Sequence, residues 1–212
     1  GHVLHLIADM SVPAHTRNDI HVKPGDSYEQ FLKNNWNTAT VGVAEKSKVR
    51  SVSSLSSAFD SLAIYSNNNF YSDDTIEDGE YKKIDIDDYE KIKANDGKIW
   101  WLARSNINGS VNYLYKEERT SGWGDIWNQN YSGGVQKKTM DSSVIITNHT
   151  SLLLPQAIGY SAGVIKLFFS EAEKLSVNDK DKNLPTFRQN LAGYANLAAG
   201  KVVSGLQGLG DA

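Results

Sequence analysis

The sequence predicts a mainly α-helical domain that carries one small β-hairpin insertion. Three observations predict it. Apolar residues recur at helical spacing along most of the chain, as in Leu55, Ala58, Phe59, Leu62 and Ala63. A single Asn108-Gly109 dipeptide lies between two runs rich in Trp, Tyr, Val and Ile, which is the pattern of a tight hairpin. With 212 residues the chain is long enough to bury one good-sized core. The expected division is a helical domain over 1–175, with the hairpin near 98–115, then a linker and a C-terminal amphipathic helix over 176–212.

The opening run Gly1 to Met10 reads as a helix with Val3, Leu4, Leu6 and Ile7 as its apolar residues. Pro13 is expected to stop it, so that His15 returns from a turn. Asp26 to Trp36 reads as the next helix, with Asp26 as N-cap and Glu29 as capping-box acid. Residues 37–52 are polar and show no period. Ser54 to Tyr65 is a helix that Asn67, Asn68 and Asn69 end. Phe70 to Gly79 carries Asp73, Asp74, Glu77 and Asp78 without the ligand order of a calcium loop, and reads as solvated.

Lys98–Arg104 and Ser110–Tyr115 form the two arms of the hairpin. Beyond it, Trp123, Trp127 and Tyr131 recur at four-residue steps. They read as a loop packed on the hairpin, with a stacking surface for a base, sugar or lipid headgroup as the sharper alternative. From Asp141 the pattern is helical again. Leu152–Phe169 is the most apolar stretch, and Pro155, Gln156 and Lys166 mark it as a buried core helix rather than a membrane span. It is expected to pack on the first helix, with Ile158 and Ile165 as the positions that test its burial. Gly159 and Gly163 suit a close packing. His149 reads as structural or exposed. After a charged linker over 176–183, a last helix follows Pro185, with Phe187, Leu191, Tyr194, Ala198, Val202 and Leu206 on one face.

Composition narrows the function classes. A net charge of −3 and a pI near 6.0 give no bulk basic footprint, so nonspecific duplex binding is not the main task. A nuclease whose metals supply positive charge locally stays open. The absence of cysteine excludes disulfides and thiolate metal sites. No phosphate-binding glycine loop or nucleophile elbow appears.

Four of the five histidines fall within the first 21 residues. Among them His5, Asp9 and His15 form an H-x3-D-x5-H pattern. On a helix His5 and Asp9 stand one turn apart on one face. Imidazole with carboxylate suits zinc or another borderline divalent ion. The plainer reading makes both histidines satisfied core residues and Asp9 a cap.

This pattern, with Pro13 two residues before the last histidine, resembles the zinc-dependent phospholipase C / S1–P1 nuclease superfamily over roughly residues 1–36. The resemblance implies a mostly helical hydrolase that cleaves phosphate esters with zinc-activated water, using two or three zinc ions. It assigns His5 to one zinc, Asp9 to a bridging and catalytic role, and His15 to the start of a third site. The family continues with H-x3-[DE] on the next helix. Here Glu29 stands for the acid, Gly25 occupies the histidine position, and His21 is the residue that would substitute from the loop. The resemblance also implies upstream ligands, including an N-terminal Trp. The sequence begins inside its first helix, so either preceding chain carries these ligands or the functional protein lacks them. Without them, the domain would hold one zinc or none, as a non-catalytic binding or structural module with a remnant site. The implied substrate is a phosphoester, with phospholipid marginally ahead of single-stranded nucleic acid. Membrane-surface contact without a transmembrane span and an extracytoplasmic or secreted location complete the expectation.

Overall fold

The structure, a computed structural model, describes residues 1–19, 26–39, 43, 47–77, 79–93, 99–119 and 134–178. Three short helices come first: α1 (His2–Asp9), α2 (Pro13–Thr16) and α3 (Ser27–Ala39). A longer helix, α4 (Leu55–Asn69), follows. Four strands come next, β1 (Asp88–Lys93), β2 (Ile99–Ile107), β3 (Ser110–Arg119) and β4 (Val135–Thr139), and then α5 (Ser143–Asn178). By internal packing the chain divides into Gly1–Val164 and Ile165–Ala212, so α5 runs from the first unit into the second.

The fold is mixed α/β, which corrects the mainly α expectation. The predicted hairpin is the centre of a four-stranded antiparallel sheet of order β1-β2-β3-β4. Its turn is as the sequence requires: Asn108 and Gly109 both take positive φ, 52° and 87°, which is the type I′ geometry that matches strand twist. The two outer strands escape sequence reading because they are polar. β1 is Asp-Tyr-Glu-Lys-Ile-Lys and β4 is Val-Gln-Lys-Lys-Thr, the charged composition that keeps an edge strand from pairing with another chain. Their lysines lie over aromatic rings of the central strands. Lys91 sits 5.5 Å from the Trp101 ring, and Lys138 sits 5.5 Å from Tyr115.

Helix α5 closes the sheet by a side-chain device. Beyond the stretch of β3 that pairs with β4, the Tyr113 N–H donates to Asn148 Oδ1 at 2.9 Å. Asn148 Nδ2 donates to the Val111 carbonyl, also at 2.9 Å. One carboxamide therefore supplies the acceptor and donor that another strand would offer. The next residue, His149, is fully buried, with Nε2 2.7 Å from the Tyr113 carbonyl oxygen and its ring edge-on to Phe70. Burial pushes its pKa down to about 4. The ring is therefore neutral near pH 7, with its proton on Nε2 to serve that carbonyl.

The buried stripe of α5 in the first unit includes Ile145, Ile146, His149, Leu153, Leu154, Ala157 and Val164, at helical spacing. Ile158 falls on the other side and is 39% exposed, against the expectation of burial. By length and composition alone, Ser143–Lys174 is long and apolar enough to cross a membrane. Val164 joins Ile7, Ala58 and Leu62 in a cluster flanked by Leu4, Met10 and Tyr160, so α1, α4 and α5 share a core. Leu6, expected there, is exposed.

The extended chain at 47–52 runs along α5 at the two glycines. The Arg50 N–H donates to the Gly159 carbonyl at 3.0 Å. A Cβ at Gly159 would collide with the Lys48 carbonyl oxygen, and one at Gly163 with that of Arg50. The glycine pair thus serves backbone approach by an extended segment. The acidic loop after α4 is better anchored than a solvated loop: Phe70, Tyr71, Ser72, Thr75 and Ile76 are all buried. Residues 176–178, read as linker, continue α5. Trp123, Trp127, Tyr131 and the predicted helix after Pro185 lie outside the described residues.

Candidate metal centre

Helix α1 presents His5 and Asp9 one turn apart, as the spacing predicts, with His5 Nε2 3.7 Å from Asp9 Oδ2. The helix ends at Asp9, and Met10 caps it. Pro13 does not merely stop a helix: it opens α2 at its first position, where the missing N–H costs nothing. His15 therefore sits on a short helix and not in a turn. From there its Nδ1 lies 4.0 Å from Asp9 Oδ1. Its Nε2 lies 3.7 Å from Glu29 Oε1, in the first turn of α3.

Four of the five predicted site residues are thus brought together in a chain, His5–Asp9–His15–Glu29. The two Asp9 oxygens face different histidines, and the two His15 nitrogens face different carboxylates. His21 lies outside the described residues. The side chains of Asp9, His15 and Glu29 are 25%, 30% and 40% exposed, whereas His5 is 77% exposed. The chain opens to solvent at one end.

The start of α3 is fixed from two sides. Asp26 Oδ1 accepts from the Tyr28 N–H at 2.9 Å and the Glu29 N–H at 3.2 Å, the N-cap role expected of it. Asp73 Oδ2 accepts from the Ser27 N–H at 3.1 Å, which gives the acidic loop a structural task. Asp26 is buried, and burial first, then the negative charges of Asp73 and Glu29, raises its carboxyl to about 6 against the opposing backbone hydrogen bonds. Asp73 and Glu29 thus lie close enough to act on the Asp26 carboxyl at the start of α3.

Arg17 is the supporting residue that the sequence does not reveal. It directly follows α2 and is 1% exposed. Its Nε donates to the Phe70 carbonyl at 2.7 Å, and its Nη2 donates to those of Asn67 at 2.8 Å and Lys82 at 3.2 Å. The guanidinium also lies over the Tyr71 and Tyr81 rings. It thereby caps the C-terminal end of α4 with positive charge, where carbonyls lack helical partners. Thr16 adds a hydroxyl contact to Ser66 at 3.3 Å. Together these fix α2, and hence the backbone of His15, on α4. Only the tertiary fold makes Arg17 special.

The donor set suits zinc in kind: two imidazoles and two carboxylates. Two donors of one tetrahedral ion at about 2.0 Å stand about 3.3 Å apart. The pair distances of 3.7–4.0 Å exceed that by a rotamer adjustment's worth. Among the described residues no group of three or more stands ready-made around one point. The contacts run in series, from His5 to Asp9 to His15 to Glu29, and share Asp9 and His15. As it stands, the chain is also a sound polar network in which His15 lies between two carboxylates. No protein-family model, curated protein or solved structure matches the chain.

Proposed function

We propose that the corner formed by α1, α2 and α3 is the centre of a metal-dependent phosphoester hydrolase. The observation that carries this reading is the placement of Asp9, with one oxygen toward His5 and the other toward His15. His5, Asp9, His15 and Glu29 would hold zinc, and Asp9 is the residue placed to serve two ligand positions. Glu29, 3.7 Å from His15 Nε2, would complete the donor set from the first turn of α3. A bound divalent ion supplies positive charge for phosphate oxygens and an activated water for attack at phosphorus. The acids around the start of α3 strengthen cation binding and leave the anionic substrate to be drawn by the metal. A phospholipid is taken ahead of single-stranded nucleic acid, because a net charge of −3 gives no bulk basic footprint.

A second reading is a non-catalytic module that keeps the ion-pair network. The separation of the donors and the exposed His5 favour it. The deciding assay uses the full gene product, zinc-replete, on a chromogenic phosphodiester. Asp9→Asn is expected to abolish turnover and lower bound metal, because it disturbs both histidine contacts, while Glu29→Gln keeps part of each. A wild-type protein with neither metal nor activity overturns the hydrolase reading and leaves the module.

A further inference from the structure

Pro155 lies inside the continuous helix α5, and a cleft lies beside it. Proline lacks an N–H, so the Ser151 carbonyl one turn earlier loses its helical donor. The cleft, of about 280 Å³, lies among this helical turn, the tip of the β2–β3 hairpin, Tyr65 of α4 and Arg50 of the extended segment. That size is at the small end of ligand pockets. One wall is apolar, with Ile107, Leu152 and Pro155. The remainder is polar: Asn108, Ser110, Ser151, Tyr65, Gln156 and Arg50 line it, with the Ser151 hydroxyl donating to the Asn148 carbonyl at 2.7 Å.

The charge pattern says what such a cleft would take. Among the described residues no carboxylate lines it, and Arg50 is the single charged group there. Arg50 is held at both ends. Its backbone N–H donates to the Gly159 carbonyl at 3.0 Å, and its Nη2 donates to Gln156 Oε1 at 2.5 Å. The ring of Tyr160 lies 5.9 Å from the guanidinium carbon. Gln156 in turn bonds the Tyr65 phenol. The side chain is therefore pre-oriented by neutral partners, with donors of its fork to spare among the described residues. A guanidinium arranged in this way is suited to bind an oxyanion through two parallel N–H bonds.

We propose that the cleft at Pro155 binds a small oxyanion-bearing molecule, a phosphate or carboxylate with a short hydroxylated body. The Arg50 fork takes the anionic oxygens, the serine hydroxyls and the Tyr65 phenol take the hydroxyls, and Leu152 with Pro155 covers the carbon skeleton. The site uses none of the residues of the α1–α2–α3 corner and stands or falls without a metal.

The test is a titration of protein freed of metal on a chelating resin, in buffer without other carboxylates or phosphate, followed by amide chemical shifts. Inorganic phosphate, acetate and glycerol are the three probes. Saturable shifts at Arg50, Ser110, Ser151 and Gln156 with phosphate or acetate, and none with glycerol, are expected. Phosphate binding tighter than acetate identifies a tetrahedral oxyanion, and the reverse a carboxylate. Arg50→Gln should weaken the anion at least tenfold, and Arg50→Lys should fall between the two. Shifts that are non-saturable, scattered over the surface or unchanged in Arg50→Gln overturn the proposal.

Discussion

His149 and His15 share a side chain and little else. His149 is sealed between Phe70 and β3, serves one backbone carbonyl, and is held neutral by its surroundings. His15 lies near the surface with a carboxylate at each nitrogen. The buried imidazole has one partner and no room to change it, so its role is to tie α5 to the sheet. The surface imidazole faces two anions that a proton or a metal ion can satisfy, so its partner is open to exchange. Location alone separates a structural histidine from a candidate ligand; the residue type does not.

The largest effect expected comes from the residue that joins the two environments. Arg17 is buried like His149 yet lies two residues from His15. Replacing it with Met leaves three backbone carbonyls without their charged donor. A loss of about 3 kcal/mol or more is expected, read as a lowered midpoint in urea unfolding. A loss below about 0.5 kcal/mol would mean that α2 is held by other contacts.

The buried histidine should show itself in the acid limb of stability. Its folded pKa of about 4 lies below its ordinary 6.5, so between these values the unfolded chain binds more protons. Stability then falls as pH drops through that window, and the loss from this group, about 3 kcal/mol, is complete below the folded value. Urea unfolding of wild type and His149→Gln from pH 7 to 4 isolates it. The variant is expected to be weaker at pH 7 and flatter toward acid. Parallel curves would contradict a neutral buried ring.

A small effect sharpens the same contrast along α5. Ile158→Ala removes a half-exposed side chain and should cost within about 0.5 kcal/mol, whereas Leu153→Ala, one turn and a face away, should cost about 2–5 kcal/mol. Equal losses in thermal or urea unfolding would place Ile158 in a contact that the fold does not give it.

These residues also mark what the sequence made legible. The hairpin was readable because Asn108-Gly109 has a local backbone requirement, positive φ at both positions. Helix α4 was readable from its apolar period. β1 and β4 were not, since their lysines and acids carry no alternation and their partners are rings on other strands. Burial of Ile158 was misjudged because a run that is apolar all round does not say which side faces the core. In the candidate site, His5 and Asp9 were legible from helix spacing, since one turn separates them. Glu29 entered only through family resemblance, and Arg17 not at all, because burial against α4 is settled by contacts some fifty residues away.

The central claim is that the His5–Asp9–His15–Glu29 chain takes a metal ion. Zinc titration of the full gene product by calorimetry at neutral pH, paired with thermal unfolding, tests it most directly. The account predicts saturable binding with proton release, and about 2.7 kcal/mol of added stability at a hundredfold excess over Kd. It also predicts that His15→Ala loses both, while Arg50→Gln keeps both. Wild-type protein that neither binds zinc nor gains stability, or binding that survives in His15→Ala, would contradict it.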